Sequence, residues 1–146
     1  MLKNLIENKN LQLVFICLLA VILHATDISK GELFYNNDET RHAFTGVFIH
    51  DLICDLPLNP LQYTYEYYAQ FPALGIIQWP PFFYFVESFF YFIFGISALS
   101  GRMTVLFFAL LGIIFWYTLV LKMHNKNIAF FSSVLLLTCQ PVLIFS

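Results

Sequence analysis

The sequence of 146 residues has few charged side chains, and this scarcity defines the class of protein. Charged residues make up 11% of the chain and apolar residues 60%, with a mean hydropathy of +0.75. Soluble domains carry about 25% charged residues. The composition therefore indicates an integral membrane protein. The formal net charge is only −2 and Lys and Arg form no cluster, so no nucleic-acid partner is expected.

Cysteine and the signatures of common catalytic sites are also scarce. The three cysteines, Cys17, Cys54 and Cys139, are far apart, with no C-x-x-C pair and no Cys/His cluster. Their spacing therefore gives no sign of redox chemistry or of zinc. The chain has no H-E-x-x-H, G-x-S-x-G, Walker or dinucleotide-binding motif. No internal repeat is present either.

Three apolar runs predict membrane-spanning helices. Residues 11–25 follow Lys3 and Lys9; a cleaved signal peptide competes with an uncleaved helix here, and the poor cleavage site favours the helix. Residues 103–121 carry no charge, and residues 128–146 contain few polar side chains. Each run can cross about 30 Å of hydrocarbon. We therefore expect an all-α integral membrane protein with about three transmembrane helices.

A fourth apolar segment, residues 80–99, either spans the membrane or lies on its surface. Nine of its residues are Phe or Tyr, a density typical of the membrane interface. A surface helix leaves four basic residues inside and three outside, whereas a span reverses these counts, so the positive-inside rule favours the surface helix. On such a helix we expect Glu87 to be exposed to water, with a position facing a cavity as the alternative.

Between these segments, residues 26–79 carry nine of the sixteen charged residues and seven of the nine acidic ones. The chemistry is therefore expected in this region. Asp38 is a suitable N-cap for an amphipathic helix lying on the bilayer. The apolar residues that follow Asp38 at helical spacing are Phe44, Val47, Phe48 and Leu52.

The second part of the region, LNPLQYTYEYYAQFPALGIIQWPP, is rich in Tyr and Pro and predicts irregular, partly interfacial chain. The Trp79-Pro80-Pro81 run at its end predicts the start of a helix, because Pro suits the first helical turn.

Five polar residues are candidates for the site. Asp38 and Glu39 lie at the positive end of the predicted helix, where a carboxylate can act as a base or simply complete the first turn. Arg41 and His42 follow one turn later and bind either an anionic group or lipid headgroups. Arg102 precedes an apolar run, where its guanidinium can donate two hydrogen bonds to a phosphate or anchor the helix at the interface.

The order of these features resembles the amino-terminal part of the GT-C superfamily of polytopic glycosyltransferases, near protein O-mannosyltransferases and aminoarabinose transferases. The acidic pair lies in NDETRHAFTG after the first helix, and YYAQFPALGIIQWPPFFYF is similar to the family's Tyr-Pro and Pro-Pro elements. FGISALSGR resembles the Gly-to-Arg junction, and residues 141–146 resemble the stretch before a second outward-facing acidic residue.

The resemblance implies transfer of a sugar from a polyprenyl-phosphate donor to a lipid, glycan or protein acceptor, with inversion at the anomeric carbon. Asp38 would be the catalytic base, and Glu39 a neighbouring acid or metal ligand. Arg41, His42 and Arg102 would bind the donor, with the two arginines on its phosphate. A divalent metal is a possible cofactor, although two carboxylates alone do not complete its oxygen shell.

The resemblance also implies a multi-pass protein of a bacterial inner membrane whose site faces away from the cytoplasm. Residues 1–25 would form a cytoplasmic tail and first span. Residues 26–102 would form an extracytoplasmic loop with juxtamembrane helices. Residues 103–146 would form two further spans. Because members of the family have more helices, we expect the chain to be an amino-terminal fragment.

Two other functions remain open. The first is a small non-catalytic membrane protein, either a pseudoenzyme remnant or an accessory subunit that binds a partner through its aromatic helix. The second is a transporter, which is weaker because Gly112 alone interrupts residues 103–121.

Overall fold

A computed structural model describes residues 8–25, 28, 37–76 and 78–139, and the regular structure within these ranges is entirely helical. The all-α class predicted from the sequence is therefore confirmed for this part of the chain. The helices in chain order are α1 (Lys9–His24), α2 (Asn37–Asp55), α3 (Pro60–Gln70), α4 (Phe82–Phe94), α5 (Ala98–Met123) and α6 (Lys126–Leu137).

Local sequence explains where four of these helices begin. The side chains of Asn8, Asn59 and Asn125 accept hydrogen bonds from backbone N–H groups in the first turns of α1, α3 and α6. As the Trp-Pro-Pro run predicts, α4 begins directly after Pro81, whose carbonyl accepts from Phe85 N at 3.0 Å.

The chain divides into two compact units, and the boundary falls within α5. Unit 1 comprises Met1–Ile28 and Val105–Ser146, and unit 2 comprises Ser29–Thr104. In unit 1, α1 packs against α6, and both share an apolar core with the second half of α5. The buried residues of this core are Ile16, Ala20, Ile113, Tyr117, Val120, Ala129 and Leu137.

Within the described residues, α5 is the one helix with the length and apolarity needed to cross a membrane. Its 26 residues extend about 39 Å at 1.5 Å per residue, and they include the predicted run 103–121. With 16 and 12 residues, α1 and α6 are shorter apolar helices. Residues 140–146 of the third predicted span lie outside the described ranges, so the count of three spans stays a prediction.

In unit 2, α2 packs along α4 and is also contacted by α3. Because α2 begins at Asn37, Asp38 lies inside the first helical turn rather than at the predicted N-cap. Of the apolar residues expected on one face, Phe48 is fully buried whereas Phe44 is partly exposed and contacts the ring of Phe71. The core of this unit consists of Phe48, Ile49, Leu74 and Tyr84.

The prediction of irregular chain before Trp79 is wrong for residues 60–70, which form α3. Asn59 caps the helix and Pro60 occupies its first turn. The Gln62 side chain donates to Glu66 at 2.8 Å, one turn further on. The high β-propensity of the tyrosines concealed this cap signal, since propensity is a weak guide where caps and side-chain pairs favour the helix.

The aromatic helix α4 has 13 residues and ends at Gly95, which has a φ of 81°. Its length of about 20 Å falls short of the roughly 30 Å of a bilayer's hydrocarbon core. Polar side chains, including Glu87, occupy its buried face. Large apolar side chains occupy its exposed face, namely Phe82, Phe85, Phe89, Phe92, Ile93 and Phe94.

Candidate functional site

The predicted acidic pair and the predicted phosphate-binding arginine come together in unit 2. Arg102 Nε donates to Glu39 Oε1 at 3.0 Å, although the two residues are 63 positions apart. Both side chains are partly buried, at 17% exposed for Arg102 and 29% for Glu39. Asp38 lies beside Glu39 in the first turn of α2 and is exposed. The carboxylate of Glu39 and the guanidinium of Arg102 therefore lie together at the N-terminus of α2.

The start of α5 positions Arg102. After the turn at Gly95, Ser97 Oγ accepts from the backbone of Ser100 at 3.2 Å. The Ser100 hydroxyl in turn donates to the Gly95 carbonyl at 2.6 Å. These bonds tie the first turn of α5 to the end of α4. Arg102 lies two residues after Ser100, and the fixed first turn of α5 directs its side chain toward Glu39.

A turn after α3 positions Arg41. Arg41 Nη1 donates to Gln78 Oε1 at 3.0 Å, and the guanidinium lies 5.7 Å from the centre of the Trp79 ring. The buried Thr45 hydroxyl links this turn to α2, because it accepts from Gly75 N at 2.9 Å and donates to the Arg41 carbonyl at 2.8 Å. A Cβ at position 75 would lie 2.6 Å from the Trp79 ring, so a larger residue there would displace that ring.

His42 is enclosed by aromatic side chains. Its Nδ1 lies 2.7 Å from Tyr84 Oη, and its ring centre lies 4.7 Å from that of Trp79. Burial lowers the pKa of His42; the negative charge of Asp38 opposes this and the positive charge of Arg41 adds to it. At neutral pH the imidazole is therefore uncharged, so His42 offers a hydrogen bond rather than a positive charge.

The pKa of Tyr84 is raised to about 12 by burial and by the nearby Glu87, so the phenol keeps its proton. Next to His42 is an open pocket of about 310 Å³ with apolar walls. The residues that line it are His42, Trp79, Pro80, Phe82, Phe83 and Tyr84.

Glu87 is a residue of unit 2 whose environment the sequence did not reveal. It is 2% exposed, so the expected exposure to water is wrong. Its Oε1 accepts from Tyr91 Oη at 3.1 Å, and its Oε2 has no hydrogen-bond partner in the described part of the chain. Glycines on two other helices leave room for the carboxyl group: Oε2 abuts Gly46, and a Cβ on Gly101 would lie 3.2 Å from Oε1.

Burial raises the pKa of Glu87 to about 8, and the hydrogen bond from Tyr91 lowers it only in part. The group is therefore mainly protonated and neutral at pH 7. No local pattern signals this burial, because the two glycines lie 41 positions before and 14 positions after Glu87.

A divalent metal stays a prediction, because the described residues offer few ligands for one. No group of three or more His, Cys, Asp or Glu side chains converges there to hold an ion. Glu39, the expected ligand, is engaged by Arg102. Mg²⁺ keeps several waters and needs only one or two carboxylates besides a substrate phosphate, and the exposed Asp38 is one candidate ligand.

Comparison of the chain with protein-family models, with curated proteins and with solved structures finds no match. The functional proposal therefore depends on the residues and geometry described above.

Proposed function

We propose that the chain forms part of a multi-pass membrane glycosyltransferase that moves a sugar from a polyprenyl-phosphate donor to an acceptor at the extracytoplasmic face. The observation that carries the proposal is the 3.0 Å ion pair between Glu39 and Arg102 beside the exposed Asp38. A base for the acceptor and a cation for the leaving phosphate are the two groups that this reaction requires.

In this reaction the acceptor hydroxyl attacks the anomeric carbon on the face opposite the phosphate. Asp38 receives the hydroxyl proton, since its carboxylate is exposed and can approach an acceptor. The bond from the anomeric carbon to the phosphate oxygen breaks, and the sugar inverts. Arg102 and Arg41 stabilise the charge on the departing phosphate, while Glu39 orients the Arg102 guanidinium. The neutral His42 donates or accepts a hydrogen bond beside them.

A lipid-linked donor also requires a site at the membrane. Large apolar side chains of α5, including Phe115 at 69% exposed and Leu119 at 53%, suit contact with lipid. The exposed aromatic face of α4 suits the interface between headgroups and hydrocarbon. In the proposed topology α1, α5 and α6 belong to spans of a bacterial inner membrane, with unit 2 outside the cytoplasm.

Replacement of Asp38 by Asn tests the proposal. Membranes containing the natural gene product would be supplied with polyprenyl phosphates carrying radiolabelled mannose or aminoarabinose. We expect Asp38→Asn to lower transfer by at least about 100-fold, which is the usual contribution of a general base. The matched control is Glu66→Gln, which removes an exposed carboxylate on α3 of the same unit. Normal transfer by a correctly inserted Asp38→Asn protein would refute the assignment.

The exposed aromatic face of α4 also favours a second candidate, a non-catalytic accessory subunit that binds a membrane partner. Here the Glu39–Arg102 pair serves only to join α2 to α5. Replacing Phe85 and Phe89 by Ser should then abolish co-purification of the partner, whereas Asp38→Asn should leave it unchanged. If the chain is part of a transferase, Asp38→Asn should instead reduce sugar transfer more than the replacement of Phe85 and Phe89 does.

A further inference from the structure

A second group of polar side chains lies at the other end of α2, and the functional proposal does not use it. Cys54 Sγ lies 3.9 Å from His50 Nε2, within hydrogen-bonding range for sulfur. The other ring nitrogen of His50, Nδ1, lies 3.0 Å from Asp51 Oδ1. Tyr67 Oη on α3 donates to Asp51 Oδ2 at 2.9 Å. Hydrogen bonds thus connect the four side chains in series, from the thiol of Cys54 to the phenol of Tyr67.

The hydrogen bonds define the role of His50. An ionised Asp51 can only accept, so His50 Nδ1 must donate to it. In the neutral ring Nε2 then carries the lone pair and faces the thiol of Cys54. The ring is also held by contact with Phe92, with centres 4.4 Å apart. A nucleophile, a base and a group that orients the base are the three parts of an activated thiol.

The phenol of Tyr67 keeps the proton that it donates to Asp51 at physiological pH. Burial raises the pKa of Tyr67 well above its usual range, and the hydrogen bond to Asp51 and that group's charge raise it further. Beside it, Tyr63 Oη donates to Asp55 Oδ2 at 2.7 Å, and the pKa of Tyr63 is raised to about 12 by burial and by Asp55. Both phenols therefore remain hydrogen-bond donors at neutral pH.

The surroundings of Cys54 indicate what it reacts with. The thiol is exposed, and large apolar residues around the end of α2 and the start of α3 are exposed with it. These residues are Ile53 at 37%, Leu56 at 79%, Leu58 at 106% and Leu61 at 65% exposed. Exposed apolar side chains beside an exposed thiol suit an acyl chain, and the proposed topology places this helix next to the bilayer.

We propose that Cys54 is an S-acylation site, with His50 as its general base and Asp51 and Tyr67 as positioning residues. The acyl donor is a long-chain acyl thioester. The Cys54 proton passes to His50 Nε2, and the sulfur attacks the thioester carbonyl carbon. A new carbon–sulfur bond forms, the donor's carbon–sulfur bond breaks, and the departing thiolate takes the proton from His50. The site is independent of the proposed sugar transfer.

The chain contains its own control. Cys139 is also exposed, but among the described residues no imidazole forms a hydrogen bond with its thiol. The purified protein in detergent micelles would be incubated with palmitoyl-coenzyme A. Mass spectrometry of proteolytic fragments would give the acylation rate of each cysteine, and release by neutral hydroxylamine would verify the thioester. We expect Cys54 to react at least about tenfold faster than Cys139. Because Cys139 lies in the predicted span 128–146, where the micelle also slows its reaction, the decisive comparison is between Cys54 in the wild type and Cys54 in His50→Ala.

Replacing His50 tests whether Cys54 reacts because a base lies beside it or only because its thiol is exposed. His50→Ala should lower the rate at Cys54 at least about tenfold, and added imidazole should restore it, since a free imidazole can replace the missing ring as a base. Circular dichroism would verify that the helices persist. The more conservative Tyr67→Phe should reduce the rate less, because the Asp51 contact to His50 remains. Equal rates at the two cysteines, or a His50→Ala protein that imidazole does not rescue, would overturn the proposal.

Discussion

The two units of the chain bury different kinds of side chain. The buried residues of unit 1 are mostly apolar, and its buried hydroxyl at Ser133 bonds to the backbone of its own helix at 2.7 Å. Unit 2 buries more polar residues, namely Thr45, Glu87, Ser88, Ser100 and Thr104. Two of them depend on distant parts of the chain: Thr45 accepts from Gly75 N, and Glu87 packs against Gly46 and Gly101. Apolar packing tolerates exchange of residues of similar volume, whereas a buried polar group requires its partner. Unit 2 is therefore where single substitutions should have large effects.

The largest effect that should separate the units is the pH dependence caused by Glu87. Its pKa is raised from 4.5 to about 8 in the folded protein. The folded state therefore binds the proton more tightly, and the stability this contributes is complete below pH 4.5 and is lost as the pH rises to 8. We expect the wild-type free energy of unfolding to fall over this range by on the order of 5 kcal/mol more than that of Glu87→Gln.

Denaturant titrations in detergent at several pH values would measure this difference. Other titratable groups are common to both proteins, so they cancel when the two profiles are subtracted. Parallel profiles for the wild type and Glu87→Gln would mean that Glu87 is not buried as described.

The next effect should come from the glycine that abuts Glu87. A Cβ at position 46 would lie 2.6 Å from Glu87 Cδ and 2.9 Å from Cγ. We expect Gly46→Ala to destabilise the protein by about 2 kcal/mol, a usual cost of overpacking. The control lies in unit 1, where Gly112 has nothing within 4 Å of its position for a Cβ. Gly112→Ala should stabilise α5 by about 0.5–1 kcal/mol through helix propensity.

A double variant sharpens the Gly46 result. In a Glu87→Ala background the added methyl group has space, so Gly46→Ala should then cost little. A full cost in that background would show that the strain arises elsewhere on α2. Unfolding midpoints of the four proteins provide the comparison.

The ion pair of unit 2 should contribute less, and its contribution should depend on salt. A double-mutant cycle with Glu39→Gln and Arg102→Gln should give a coupling of about 1 kcal/mol, because both side chains are only partly buried. This coupling should decrease as the salt concentration rises. The hydrogen bond from Tyr117 to Gln12 in unit 1, at 2.8 Å, provides the contrast. Its coupling, measured with Tyr117→Phe and Gln12→Leu, should not change with salt.

Features encoded by local sequence could be predicted. The apolar run 103–121 predicted the long helix α5, and the prolines before α4 predicted its start. The Asn-Pro start of α3 was also visible, but the tyrosine-rich composition obscured it. The spacing of His50 and Cys54, four residues apart on a predicted helix, places both on one face. The contact between their side chains was nevertheless not predicted, and the expectation of no Cys/His cluster is wrong.

Features that depend on contacts between distant segments could not be predicted. The resemblance assigned Glu39 and Arg102 to one site, yet nothing in either segment indicated that they form an ion pair. The burial of Glu87 depends on glycines in two other helices, and a glycine has no side chain whose pattern could reveal the contact. The functional roles of Asp38, Arg41 and His42 stay predictions, since no observation yet tests them.

The smallest predicted effect concerns backbone conformation, which again differs between the units. Both described residues with positive φ, Leu56 at 41° and Gly95 at 81°, belong to unit 2. A leucine in the left-handed region destabilises the folded protein by about 1–2 kcal/mol. Glycine at this position would remove that strain, but its greater conformational freedom in the unfolded chain offsets part of the gain. We therefore expect Leu56→Gly to stabilise the protein by about 0.5 kcal/mol, and Gly95→Ala, its matched control, to destabilise it by about 1 kcal/mol. Thermal unfolding in detergent would detect the two opposite shifts. If Leu56→Gly lowered the unfolding temperature, the exposed leucine would contribute more through contact with the micelle than its backbone strain removes.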